Sequence, residues 1–241
     1  MTLIDGWEDV GDVKSEKMSF RTAPSTTDDE GDPTPAYEES VDYRPPGMPP
    51  RLRVVGATWG GVNVTDDVQS MVTADETVAF DMRSIHRVLV PDPAPGVVKT
   101  LSVLYQYEDQ DGVRLLHASE HMTHIQIYNT PDKLATSEEH QHHLKPLERP
   151  WRAGPAAQVE ILAVLYGPQR IETPAVLQEL SKFFEGRRGQ IRMTNAFFKT
   201  DPWPYHVKSW SVYFRFVDSK RIQCVTGMEN GALEIPWSRH Y

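Results

Sequence analysis

The chain has 241 residues, 39% of them hydrophobic, with 19 prolines, a single cysteine and a formal net charge of −9. That length admits two domains, each with its own core. One cysteine excludes an internal disulfide framework and fits a reducing compartment, so a cytoplasmic protein is expected. The charge is lopsided: residues 1–50 hold 12 Asp/Glu against 4 Lys/Arg, and the remainder hold 22 against 21. An acidic arm therefore precedes a nearly neutral body, a distribution that repels phosphate backbones and excludes nucleic acid as the expected partner.

Met1–Trp7 carries neither a basic segment nor a long apolar run, so neither a signal peptide nor a membrane span is expected. Residues 15–50 are rich in Ser, Thr, Asp, Glu and Pro and have no helical or strand period, the composition of an extended arm. Within residues 1–50, Ile4, Trp7 and Val10 fall at i, i+3, i+6, and Tyr37, Tyr43 and Met48 are further apolar anchors. Ile4, Trp7, Tyr37 and Tyr43 are expected to bind a partner.

From residue 51 to residue 128 short apolar runs alternate with turn residues. Strands are expected at Leu52–Trp59, Thr77–Met82, Thr100–Tyr107, Val113–Ala118 and Thr123–Tyr128, with a short helix near Thr65–Val72. Residues 129–155 read as a linker containing Glu138-Glu139-His140-Gln141-His142-His143. From residue 156 to residue 241 strands are expected at Val159–Tyr166, Gly189–Thr194, Trp210–Phe216, Arg221–Thr226 and Ala232–Trp237. Thr173, Pro174 and Gly186 bracket a helix with Val176, Leu177, Leu180, Phe183 and Phe184 on its apolar stripe.

The two body segments repeat one another. Asp92-Pro93, Lys99 and Leu101-Ser-Val103-Leu-Tyr105-Gln-Tyr107 return as Asp201-Pro202, Lys208 and Trp210-Ser-Val212-Tyr-Phe214-Arg-Phe216, at an offset of 109. Trp59-Gly60 returns as Tyr166-Gly167 at an offset of 107. The agreement in parity keeps the apolar face of each strand on the same side. The expected architecture is all-β with one or two short helices: two tandem β-sandwich-like domains from an internal repeat, preceded by the acidic arm. Adding Glu120 and Glu229, each in the hairpin that follows, these residues resemble the C-terminal domain of unknown function of DnaJ subfamily C member eleven-type proteins. The resemblance implies a β-sandwich module. It brings no catalytic residues, and without a His-Pro-Asp signature it does not imply co-chaperone activity.

Three groups of residues bear on chemistry. His117-Ala-Ser-Glu120-His121 spells the H-x-x-E-H order, in which His117 and His121 on one helix face would hold zinc with Glu120 as base. The segment follows a strand, and the second copy keeps only Glu229, so an exposed hairpin is the favoured reading. Trp203 and Tyr205, in the loop Asp201-Pro-Trp-Pro-Tyr205, are candidates to stack on a sugar or a peptide, although turn chemistry alone accounts for the prolines. Cys224, in an alternating strand, reads as a small core residue. No cofactor is expected. A non-catalytic structural protein that binds a partner or itself through the arm and the sheet edges is the leading expectation. A carbohydrate- or peptide-binding module is the alternative, and a zinc-dependent hydrolase the second alternative.

Overall fold

The computed structural model describes residues 51–89, 92–128, 147 and 149–234. Ile4, Trp7, Val10, Tyr37, Tyr43, Met48 and the His140–His143 tract lie outside these residues. The described chain is all-β, with three short α-helices and several antiparallel sheets.

In the first half, β1 (Leu52–Trp59), β2 (Val62–Asn63), β4 (Thr100–Tyr107) and β5 (Arg114–Ser119) form a sheet in the order β2-β1-β4-β5. In the second half, β7 (Val159–Tyr166), β8 (Gln169–Arg170), β10 (Ser209–Phe216) and β11 (Gln223–Met228) form one in the order β8-β7-β10-β11. The two orders are the same order. Even the irregularities match: β1 skips Val55 against β4, and β7 skips Leu162 against β10.

Each sheet buries one face under its own cover. In the first half the cover is α1 (Thr65–Ser70), the two-stranded sheet β3 (Val78–Asp81) with β6 (His124–Ile127), and a 3-10 turn at Ile85–Arg87. Val68, Phe80, Ile85 and Ile125 pack there on Trp59, Leu101, Val103 and Tyr105. In the second half the cover is α2 (Pro174–Phe184), α3 (Asn195–Phe198) and the pair β9 (Ile191–Arg192) with β12 (Ala232–Leu233). Phe184 stacks on Phe214 at 3.8 Å between ring centroids, and Phe198 on Tyr166 at 4.1 Å.

The helix expected between Thr173 and Gly186 spans Pro174–Phe184. Gly186 takes φ +72, its N–H donates to the Phe183 carbonyl and that of Arg187 to the Lys182 carbonyl, the paired bonds of a Schellman stop. The Thr173 hydroxyl makes no capping bond. The first-half helix is shorter than expected, and Thr65 lies inside it, its hydroxyl accepting from the Ala57 N–H at 2.9 Å.

The opposite faces of the two large sheets are not exposed to water. They pack back to back. Thr100, Ser102, Ser209 and Ser211, polar positions that alternation alone assigns to solvent, are all buried in this seam. Small hydroxyls let the sheets approach and bond one another across the join. Thr58 meets Ser211 at 2.8 Å, Thr100 meets Ser209 at 3.0 Å, and the Tyr213 hydroxyl meets Ser102 at 2.6 Å. Gly56 belongs to the same fit, since a Cβ there would come within 2.9 Å of the Tyr213 ring. Leu104, Leu162, Ala163, Leu165 and Tyr213 form the apolar part of the seam. All described residues belong to one compact unit.

Candidate functional site

Two buried lysines organise the loops that precede the central strands. The Lys99 ammonium, 3% exposed, lies 3.1 Å from Asp92 and 3.4 Å from Glu120. It donates to the Ala94 and Val97 carbonyls at 3.2 and 2.7 Å. Lys208, 2% exposed, repeats this arrangement: Asp201 at 2.9 Å, Glu229 at 3.1 Å, and the Trp203 and His206 carbonyls at 3.3 and 2.7 Å. Each lysine also receives its glutamate on its backbone N–H. Each ammonium stands over an aromatic ring, Lys99 over Trp59 at 5.9 Å and Lys208 over Tyr166 at 5.5 Å. Gly60 and Gly167 make room for the stems: both have positive φ, and a Cβ would meet Lys99 Cγ at 2.9 Å and Lys208 Cγ at 3.0 Å. Hydrogen bonding from the Ala94 N–H, with Lys99 adding, holds the Asp92 carboxyl below its ordinary range. An ammonium has three donors and here faces at least four acceptors, so these lysines are structural nodes.

The nodes hold the two Pro-loops, which share Asp-Pro-x-Pro but differ at the residue that follows it. Gly96 has φ +76 in the first loop, and its equivalent in the second, Tyr205, has φ +67. A side chain in this left-handed region costs about 1–2 kcal/mol, yet the Tyr205 ring stands fully exposed. Trp203 is more sheltered. It stacks on His206 at 5.0 Å and meets His121 of the other half edge-on at 6.0 Å.

The H-x-x-E-H residues do not share a helix face. His117 lies on β5 opposite Ser102, in the face turned to the second half. Burial pushes its imidazole down to about 4, against the weaker opposing effect of a hydrogen bond to the Gly167 backbone. Glu120 belongs to the Lys99 node, and His121 lies in the turn against Trp203. Among the described residues no group of three or more His, Cys, Asp or Glu side chains is placed to hold a metal ion. Cys224 pairs opposite Tyr213, and burial pushes its thiol up to about 12.

The lysine nodes are legible in the sequence only in retrospect. Asp, Lys and Glu recur together at one offset of 109, but each reads separately as a turn, a strand flank and a hairpin residue.

A gap of about 1280 Å³ opens between the two sheets, lined by Arg53, Val55, Gln106, Arg221, Ile222 and Cys224 among others. The corresponding place on the other side is filled. There Leu147 packs against the inter-sheet cluster, and its N–H donates to the Val113 carbonyl at 2.7 Å. Trp151 exchanges two backbone hydrogen bonds with Ile161. Arg152 pairs with Glu160, which also accepts from Arg215. Burial would raise the Glu160 carboxyl, but the two guanidiniums outweigh it and hold the group below its ordinary range.

No helix among the described residues is long and apolar enough to cross a membrane. No protein-family model, no curated protein and no solved structure matches the chain.

Proposed function

We propose that this chain is a non-catalytic interaction protein that binds a protein partner, itself included, through its N-terminal arm and the edges of its sheets. The observation that carries this reading is the contrast between the two gaps. One is closed by an extended segment of the chain, which bonds to two sheet edges through its backbone. The other offers the same kind of seat, with an edge strand beside it. Strand addition of this sort gains affinity from main-chain hydrogen bonds and specificity from side-chain pockets. The engaged lysine nodes and the half-buried Cys224, with its raised pKa, are consistent with a scaffold role. The compartment in this reading is the cytoplasm, and the resemblance to the DnaJ-associated domain is one of scaffold only. Sedimentation of the full chain beside a chain starting at Pro50 tests it: the full chain is expected to run as the larger species. If both run as the same monomer, self-assembly through the arm is wrong.

A second reading has its own support. Tyr205 keeps a strained backbone where the first half uses glycine, and strain of that kind persists where a side chain is put to use. A carbohydrate or peptide stacking on Tyr205 and Trp203 would account for it. A glycan array that shows no binding, together with an unchanged profile for Trp203→Ala, would remove this alternative.

A further inference from the structure

We propose that the open gap between the sheets receives residues 38–44 of a second copy, Glu38-Glu39-Ser40-Val41-Asp42-Tyr43-Arg44, as an extended strand beside β11. This rests on the assembly reading above and names its contact. The argument begins with the register. Gap-lining Arg53 and Val55 correspond, at the offset of 107, to Glu160 and Leu162. Gap-lining Gln106, Ile222 and Cys224 correspond, at the offset of 109, to Arg215, Val113 and Leu115. The filled side therefore shows what such a seat accepts. Its occupant supplies an apolar plug (Leu147), a backbone bond to the edge strand, and a side chain of opposite charge (Arg152) for the residue on β7.

In the open gap the charge at the matching strand position is reversed. Arg53 stands where Glu160 stands, and Lys220 and Arg221 also line the opening, with Asp66 and Asp67 of α1 among the other lining residues. All three cations are exposed, and none makes an ion pair with a described residue. Opposite Arg53 the occupant must then bring a carboxylate where the filled side brings Arg152. The β1 edge needs no further strand, because the Leu52 and Val54 N–H groups already donate to Glu76 Oε2 and Gln69 Oε1 at 2.7 and 2.8 Å. The acceptor matching the Val113 carbonyl is that of Ile222. Residues 38–44 meet these demands with Glu38, Glu39 and Asp42 for Arg53, Lys220 and Arg221, and Val41 or Tyr43 for the plug. Their distance from the body fits as well: Leu147 lies twelve positions before Val159, and Val41 lies eleven before Leu52.

The choice of a second copy comes from the intervening residues. On the filled side the chain turns back at Gly154–Ala157, where the Ala157 N–H donates to the Gly154 carbonyl. The counterpart in sequence, Pro45-Pro46-Gly47-Met48-Pro49-Pro50, puts Pro50 where Ala157 stands, and a proline has no N–H to donate, so that turn bond has no equivalent. A segment that is not turned back onto its own body reaches the same seat on a neighbour, as in domain swapping.

A charge exchange in the full chain tests the contact. Arg53→Glu with Arg221→Glu reverses the gap, and Glu39→Lys with Asp42→Lys reverses the segment. Both arginines are exposed, so an unchanged thermal midpoint is expected and serves as the folding control. By sedimentation, each variant alone is expected to lose self-association by about tenfold or more, and an equimolar mixture of the two to recover it. If the full chain associates and neither variant changes this, the assembly reading stands and the gap has no part in it. If the unaltered full chain is a monomer at every concentration, both fall. If it is a monomer in which gap reversal accelerates thiol labelling of Cys224, the occupant is not a second copy and the proposal is overturned.

Discussion

At the scale of single residues, most of the chemistry-bearing side chains are committed to holding the structure. Lys208→Met would leave Asp201, Glu229 and two carbonyls facing an apolar stem, and breaking a buried ionic group in this way costs about 3–5 kcal/mol. Urea unfolding is the measurement, and Lys99→Met should behave alike. Tyr205→Gly has the opposite sign: relieving the left-handed backbone should stabilise the protein by up to about 1 kcal/mol. The same change would abolish any ligand binding that depends on the ring, so the two readouts separate strain from use. His117 makes stability depend on pH. Its folded imidazole titrates at about 4, below its ordinary 6.5, so on acidification the unfolded chain takes up the proton first. Stability is full above pH 6.5 and falls as pH drops from there toward 4. Denaturant midpoints measured at pH 7 and pH 5 should differ less in His117→Asn than in the unaltered chain. The Glu160 contribution persists to lower pH, because its two guanidinium partners keep it ionised below its ordinary range.

At the scale of elements, what was legible followed from periodicity. β1 and β7 span the expected ranges residue for residue, because mostly apolar runs end there at a Gly turn. The helix stop at Gly186 was legible for the same local reason. What alternation could not convey was the destination of the second face of β4. Thr100, Ser102 and Gln106 suggest water, and only a neighbouring sheet carrying Ser209, Ser211 and Tyr213 gives two of these three positions a buried role. A serine bonded to another serine has the same sequence signature as a serine bonded to solvent. The two-residue strands β2 and β8 and the short α3 were also missed, being too brief to show a period. The gap was missed because it arises between elements distant in the chain. The seam carries its own prediction. Ser102→Val would leave the Thr58 and Tyr213 hydroxyls short of a partner, at a cost of about 1–3 kcal/mol, with thermal unfolding as the measurement.

At the scale of the whole molecule, the halves relate to one another as two subunits of a dimer do. Thr100 and Ser209 are equivalent positions, and they touch each other, as residues beside a two-fold axis do. The filled gap and the open gap are then the two chemically different ends of a nearly symmetric object, one closed by Leu147 and Arg152 and one left open among the described residues, with Arg53 where the other has Glu160. Under the self-docking proposed above, that asymmetry would make addition directional.

The double burial of the central strands has a further consequence, for the order in which the molecule comes apart. β4 and β10 each serve their own core on one face and the shared seam on the other. Neither half can therefore melt without stripping one wall from its neighbour, and two cores that look separable should unfold as one cooperative unit. Amide protons on β4 and β10 are expected to exchange with solvent last and at a common rate, set by global rather than local opening.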